Sequence, residues 1–351
     1  MKELQKLLAF YNVLQDEESK RIFEIKLNML MKQSKYSDFI DVLISMDKEW
    51  EIAYYDNFKS SYKEKPIIIF GAGSEGKLTL HILKKMGIDI WGFCDNASSK
   101  WETKYEGKPV ISPTEVIMKH KDKFVILASM NNRNQFYNQL TAPAVPFPKE
   151  NIWIPRTGTL YATNGQQYFD CPGFKVEQNE VFIDAGCFDG NTSKDFVKWC
   201  GGKYKKIYAF EPDRQCYLSC IKLNEELKNF NLLNIATWCK KELLHFSMNS
   251  NGSSLINKNG EMEVEANSID NILDGEIATF IKMDVEGAEY NTILGAKETI
   301  KKYKPKLAVS IYHKEEDIFE IPLLLTELRD DYKFYIRHYT TSPWETVLYA
   351  I

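Results

Sequence analysis

No apolar run in the sequence approaches the length needed to span a bilayer, so a membrane-spanning protein is not expected. There is no basic excess either. Lys and Arg number 45 against 49 Asp and Glu, which argues against a nucleic-acid partner. The seven cysteines are odd in number, and their spacing suits neither a disulfide framework, a zinc site nor an iron–sulfur cluster. Solenoid repeats and low-complexity segments are absent as well. The opening MKELQKLLAFYNVLQDEESK mixes charges among apolar residues at helical spacing, unlike a secretory signal. These absences leave an ordinary globular chain with reduced thiols, expected in the cytoplasm.

What is present points to two α/β units. A chain of 351 residues is too long for one small core. Residues 1–62 read as a helical segment, with Leu7, Leu8, Tyr11 and Leu14 recurring at three and four; such helices cap the rest or pair two copies into a homodimer. Residues 63–150 read as a small Rossmann-like domain, with strands in PIIIFGAG, IDIWGFCDN and KFVILAS. The stretch TAPAVPFPKENIWIP carries four prolines and reads as a connector, because proline opposes helix and central strand alike. In residues 151–351, EVFIDAG, KIYAFEP, FNLLNIAT, ATFIKMD and KPKLAVSIY propose five parallel strands. YKFYIRHY and ETVLYAI are joined by so short a loop that they must pair antiparallel. The expectation is an α/β fold with a seven-stranded, mostly parallel sheet.

Each unit carries a glycine-rich loop after its first strand. IIIFGAGSEG places Gly71, Gly73 and Gly76 between strand and helix, and Asp95 closes the next strand. That is the arrangement that cradles a dinucleotide. VFIDAGCFDGNT repeats the logic with Asp184, Gly186 and Gly190, and Glu211 closes the strand that follows. Its charge differs, because Asp184 and Asp189 would repel a pyrophosphate at a helix N-terminus. A nucleoside with a cationic tail suits it better, and S-adenosylmethionine is such a molecule; otherwise Asp184 only caps a turn. Asp184, Glu211, Asp284 and His313 all fall at carboxyl ends of strands, where an open parallel sheet binds its ligand.

VFIDAGCFDGNT, YAFEPD, SIDNIL and FIKMDVEGAEYNTILGAKETI resemble the FkbM family of S-adenosylmethionine-dependent methyltransferases over residues 165–351. The resemblance implies a class I methyltransferase fold and methyl transfer to oxygen on a carbohydrate or natural product. It implies that Asp184, Gly186, Gly190 and Glu211 hold the cofactor, with Ala236 and Trp238 near adenine. Trp238 is equally readable as a core residue.

A histidine suits proton removal from a hydroxyl, so His313 is the first candidate base, against a surface-loop reading, and Asp284 the second, unless Asp284 instead binds the cofactor by orienting its amino group, or orients the substrate. Tyr168, Glu286, Glu289, Arg337 and His338 are candidates for substrate contact; packing for Tyr168 and edge protection for the pair Arg337–His338 are the plain alternatives. Asp284, Glu286 and Glu289 could share a divalent ion, but their spacing does not demand it, and no metal is expected. The GAGSEG region is similar to nucleotide-sugar-binding domains, which implies a nucleotide-linked sugar as ligand; a degenerate domain that only supports assembly is the other reading. Glu75 opposes an anion there and Lys77 offsets it. A nicotinamide-dependent sugar oxidoreductase and a non-catalytic cofactor-binding scaffold are the competing functions.

Overall fold

The computed structural model describes residues 2–46, 58, 61–129, 132–154, 167–248, 254–256, 262–340 and 344–351. The chain divides into two compact units. One is Met31–Ala162 with Tyr339–Ser342; the other is Met1–Leu30 with Thr163–His338 and Pro343–Ile351.

The first of these is built on β1 (Ile67–Phe70), β2 (Gly92–Cys94), β3 (Lys104–Tyr105), β4 (Lys108–Ile111), β5 (Phe124–Leu127) and β6 (Ile152–Trp153), in the order β3-β4-β2-β1-β5-β6. All pairs are parallel except β3 with β4. Every residue of β1 and β5 is buried, which is why these strands read as unbroken apolar runs rather than alternating ones. Phe70 stacks on Phe136 with ring centroids 4.1 Å apart. The proline-rich stretch is not wholly a connector. Its Ile152–Trp153 pairs with β5 as a two-residue edge strand, and Pro143, Pro146 and Pro148 precede that strand, where no ladder N–H is required. Pro155 lies outside the described residues.

The larger unit holds β7 (Glu180–Ala185), β8 (Tyr204–Phe210), β9 (Phe230–Leu233), β10 (Ala236–Thr237), β11 (Glu242–Met248), β12 (Ser254–Ile256), β13 (Met262–Asn267), β14 (Phe280–Met283), β15 (Lys306–Ser310), β16 (Phe334–His338) and β17 (Thr346–Ala350). Seven of them form the main sheet, ordered β16-β17-β15-β14-β7-β8-β9. The terminal hairpin does not simply extend the edge. β17 inserts between β15 and β16, antiparallel to both, so it alone runs against the rest. The loop expected between β16 and β17 falls partly on residues 341–343, outside the described residues. A second sheet, β10-β13-β11-β12, has no counterpart in the sequence reading.

The helices of residues 1–62 divide between the units. Lys2–Val13 and Glu17–Leu30 belong to the larger one, Tyr36–Ser45 to the smaller. Phe10 meets Phe23 and Phe334 edge-on at 5.2 and 5.3 Å, and the Gln15 N–H donates to the Phe334 carbonyl at 3.0 Å. These two helices therefore cover the outer strand β16. Among the described residues, no helix is long and apolar enough to cross a membrane.

Candidate active site

Parallel strands deliver their carboxyl ends to one rim, and the larger unit has a cavity of about 480 Å³ there. The loop after β7, the ends of β8 and β14, and residues of β10 and β13 line it. Gly186 makes the loop possible. Its φ is +74°, and a Cβ there would stand 1.9 Å from the Asp284 carbonyl oxygen, so only glycine lets the two strand tips approach this closely.

Glu211 lines the cavity and is 7% exposed. Its carboxylate accepts from the backbone N–H of Phe188 at 2.9 Å and of Asp213 at 2.8 Å. Burial raises its pKa to about 7 despite these two donors. At the N-terminus of the helix Asn191–Trp199, the Asp189 carboxylate accepts from the Asn191 N–H at 3.0 Å. A carboxylate of the chain thus stands where a ligand phosphate would bind.

Asp184 does not line this cavity. It is fully buried, accepts from Ser193 Oγ at 2.7 Å and pairs with Lys282 Nζ at 3.2 Å. Lys282, 2% exposed, also donates to the Gly186 carbonyl at 2.6 Å. Burial disfavours its ammonium, but Asp184 and Asp284 outweigh that and raise its pKa. The lysine is a buried cation that ties β7, β14 and the glycine loop together. The residues alone did not single it out, and the clue was a charge interrupting the apolar run FIKM.

Asp284 faces the cavity. One carboxylate oxygen accepts from the Tyr168 hydroxyl at 2.6 Å, the other from the Tyr312 hydroxyl at 3.2 Å. Burial opposes its charge, yet Lys282, His313 and the Tyr168 hydroxyl hold its pKa below the usual carboxylate value. Tyr168 thus supports Asp284 and does not itself line the cavity, so the expected substrate contact is not seen at it. Tyr312 also donates to Glu345 at 3.3 Å, and both line the cavity. They too escaped the sequence reading, because nothing local marks either residue.

His313 lies among three acids. Its Nδ1 is 2.8 Å from Glu289 Oε1, and its Nε2 is 3.5 Å from Asp284 Oδ1 and 3.7 Å from Glu286 Oε2. Burial favours the neutral ring, but Glu289, Asp284 and Glu286 overcome it and raise the pKa to about 9. The three acids thus favour the charged ring, which works against its taking a proton as a neutral base. Glu289 is fully buried, holds His313 and the Val285 N–H, and does not line the cavity, whereas Glu286 does. Asp284, Glu289 and His313 offer ligand atoms all within 4.8 Å of one another, a grouping of the kind that holds a metal, which the sequence reading did not expect.

Arg337 and His338 are not brought to this site. Arg337 is 6% exposed and pairs with Asp16 at 2.6 Å, while His338 is fully buried with Nδ1 2.9 Å from Thr346 Oγ1. Their expected substrate contact gives way to anchoring the N-terminal helices and β17. Ala236 lines the cavity, whereas Trp238 does not; its indole N–H donates to Glu242 at 2.7 Å.

The first glycine loop is closed on itself. Asp95 accepts from the Ala72 N–H at 2.9 Å and from Lys100 Nζ at 2.9 Å, and Lys100 donates in turn to the Ala72 carbonyl at 2.7 Å. A Cβ on Gly76 would lie 1.9 Å from the Gly71 carbonyl, so that glycine serves helix–strand packing. A Cβ on Gly73 would meet open space. Lys77 is held by Asp41 at 2.8 Å instead of offsetting Glu75 for a ligand.

Residues 184–334 match the family model described as methyltransferase FkbM domain, and residues 62–146 match that described as C2185-like, N-terminal. No curated protein matches the chain. A solved methyltransferase FkbM from Methylobacillus flagellatus is 16% identical with a TM-score of 0.47, and the alignment covers 94% of this chain and 100% of that one. An rRNA methylase from Streptococcus thermophilus is 15% identical (TM-score 0.33; 50% and 87% covered). Fibrillarin from Aeropyrum pernix, solved with natively bound S-adenosyl-L-methionine, is 9% identical (TM-score 0.35; 53% and 76% covered).

Proposed function

We propose that this chain, an S-adenosylmethionine-dependent methyltransferase of FkbM type by its residues 184–334, methylates a hydroxyl of a sugar or glycan-linked compound. The observation that carries the acceptor class is the cluster at one part of the cavity lining: Asp284, Glu286, Tyr312 and Glu345. Carboxylates and phenols in that number accept and donate hydrogen bonds to several hydroxyls, and they disfavour an anionic group.

The cavity fits the cofactor's chemistry. Glu211, held by two backbone N–H groups, stands where ribose hydroxyls are recognised, and Asp189 leaves the helix N-terminus without a place for phosphate. S-adenosylmethionine supplies an electrophilic methyl group on a sulfonium, whose positive charge the neighbouring acids favour. Gly186, Glu211 and Ala236 would hold it, and Asp184 would act through Lys282 by fixing the loop. Gly190 does not line the cavity and instead packs against Asn224 and Cys220. Asp284 orients the acceptor hydroxyl and receives its proton, with Tyr168 and Tyr312 steadying the carboxylate. His313, its charged form favoured by the acids, holds Asp284 and Glu286 in place.

The smaller unit is read as a support, because Asp95 and Lys100 fill its glycine loop, and neither a nucleotide-linked sugar nor a nicotinamide is carried forward as its ligand. The outer strand β16 is covered by residues 2–30 of the same chain, so a homodimer is not needed to protect it. All seven cysteines are free, which supports a reducing, cytoplasmic setting.

The test is methyl transfer to a panel of free and glycan-linked sugars, read as a mass gain of one methyl. Asp284→Asn is expected to lower turnover by about two to four orders of magnitude. Methylation confined to amines or carboxylates would refute the acceptor class.

A further inference from the structure

Most of the glycine loop after β7 turns inward, and one residue does not. Across residues 181–190, Phe188 alone is exposed; its exposure is 63%, although it lines the cavity. Its neighbours are held by the chain, Cys187 buried with Sγ 3.8 Å from Cys220 Sγ and Asp189 accepting from the Asn191 N–H. The backbone of Phe188 is unusual as well, with φ of +51°. Among the described residues, every other non-glycine residue in this left-handed region is Lys, Glu, Asn or Asp. Neither feature favours the folded chain. An exposed ring buries little apolar area, and left-handed backbone is costly for a bulky L residue. A costly conformation retained at a cavity's mouth points to a ligand. The Phe188 N–H also donates to Glu211 Oε2 at 2.9 Å, so the ring is carried beside the acid that stands where ribose hydroxyls are recognised.

We propose that the Phe188 ring covers the ribose of the bound methyl donor, packing on a C–H face of the sugar and closing that end of the cavity to solvent. The inference rests on the cofactor occupying this cavity. A ribose has hydroxyls at its edge and C–H groups on its faces. Glu211 accepts from the edge, and the aromatic ring supplies a flat apolar surface for a face. The left-handed backbone serves both contacts, because one residue then presents its N–H to the Glu211 carboxylate and its side chain to the cavity. Binding also gives the ring the apolar burial that the free chain lacks.

Phe188→Asn in the full chain tests this, because asparagine enters left-handed backbone readily and keeps the N–H for Glu211 while removing the ring. Two results of opposite sign are expected. Calorimetry should show S-adenosylmethionine bound about five- to thirtyfold more weakly than by wild type. The midpoint of chemical denaturation without cofactor should stay level or rise, since the strain is relieved and little packing is lost. Wild-type affinity in Phe188→Asn would overturn the proposal, and so would a lowered midpoint, which marks a packing role. Glu211→Ala in the same titrations separates this inference from the cofactor reading. Weaker binding in Glu211→Ala alone removes the role of the ring and leaves the cavity assignment standing; unchanged binding in both variants removes both.

Discussion

Two loops in this chain share a backbone plan and differ in what their acid does. In both, a strand enters a glycine turn, a helix follows, and an acid at the next strand's tip accepts a loop N–H: Asp95 from Ala72, Glu211 from Phe188. Each acid also accepts a second backbone N–H two residues on, Asp95 from Ala97 and Glu211 from Asp213. Asp95 then takes Lys100 as well, which reaches back to the same loop, whereas Glu211 lines a cavity of about 480 Å³. A glycine motif therefore reports close backbone approach. Whether a ligand or the chain itself makes that approach depends on side chains outside the motif.

The comparison can be broken most severely at the lysines. Lys282→Ala leaves Asp184 buried and unpaired, so unfolding free energy should fall by about 3–5 kcal/mol in chemical denaturation. The corresponding cation of the first loop, Lys100, has a side chain 42% exposed, and Lys100→Ala should cost about 1 kcal/mol or less. Equal losses would mean that the two loops are held alike.

A smaller effect sharpens the contrast at the acids. Glu211 has its pKa raised to about 7 in the folded chain, above its unfolded value. Its contribution to stability is therefore complete below the unfolded pKa and is lost as pH rises through about 7. Cofactor affinity should run the opposite way, because the ionised carboxylate is the better acceptor for ribose hydroxyls. Calorimetry between about pH 6 and about pH 8 should show affinity rising with pH, and Glu211→Gln should flatten the trend. The smallest change expected is at Asp16, whose pKa is lowered to about 2; burial works against its charge, but Arg337 and Ser19 prevail. That contribution is present at neutral pH and lost only as pH falls toward 2. Asp16→Asn, at a side chain one-third exposed, should thus cost under about 1 kcal/mol at pH 7 and nothing in strong acid.

Most of the main sheet was legible because a strand covered on both faces is an unbroken apolar run, as in VFIDA and KLAVS. The acids at the strand ends were legible for the same reason, since each closes such a run. Less legible were residues whose roles depend on partners far along the chain. Arg337 looks like a surface charge on an edge strand until Asp16, from the N-terminal helices, is brought beside it. Lys282 looks like a break in a strand until Asp184 supplies its counter-charge. Tyr312 and Glu345 meet only because β17 inserts beside β15. His313 was found, but its neighbours changed its reading. Three acids within 3.7 Å of its ring favour the charged imidazole over the neutral one a base requires.

The central claim is that the second loop holds the methyl donor and the first loop holds only itself. Calorimetric titration of S-adenosylmethionine into wild type, Glu211→Ala and Asp95→Ala tests it most directly. The account predicts binding by wild type and Asp95→Ala alike, and loss of at least tenfold in Glu211→Ala. Undiminished binding by Glu211→Ala, or its loss in a folded Asp95→Ala, would contradict it.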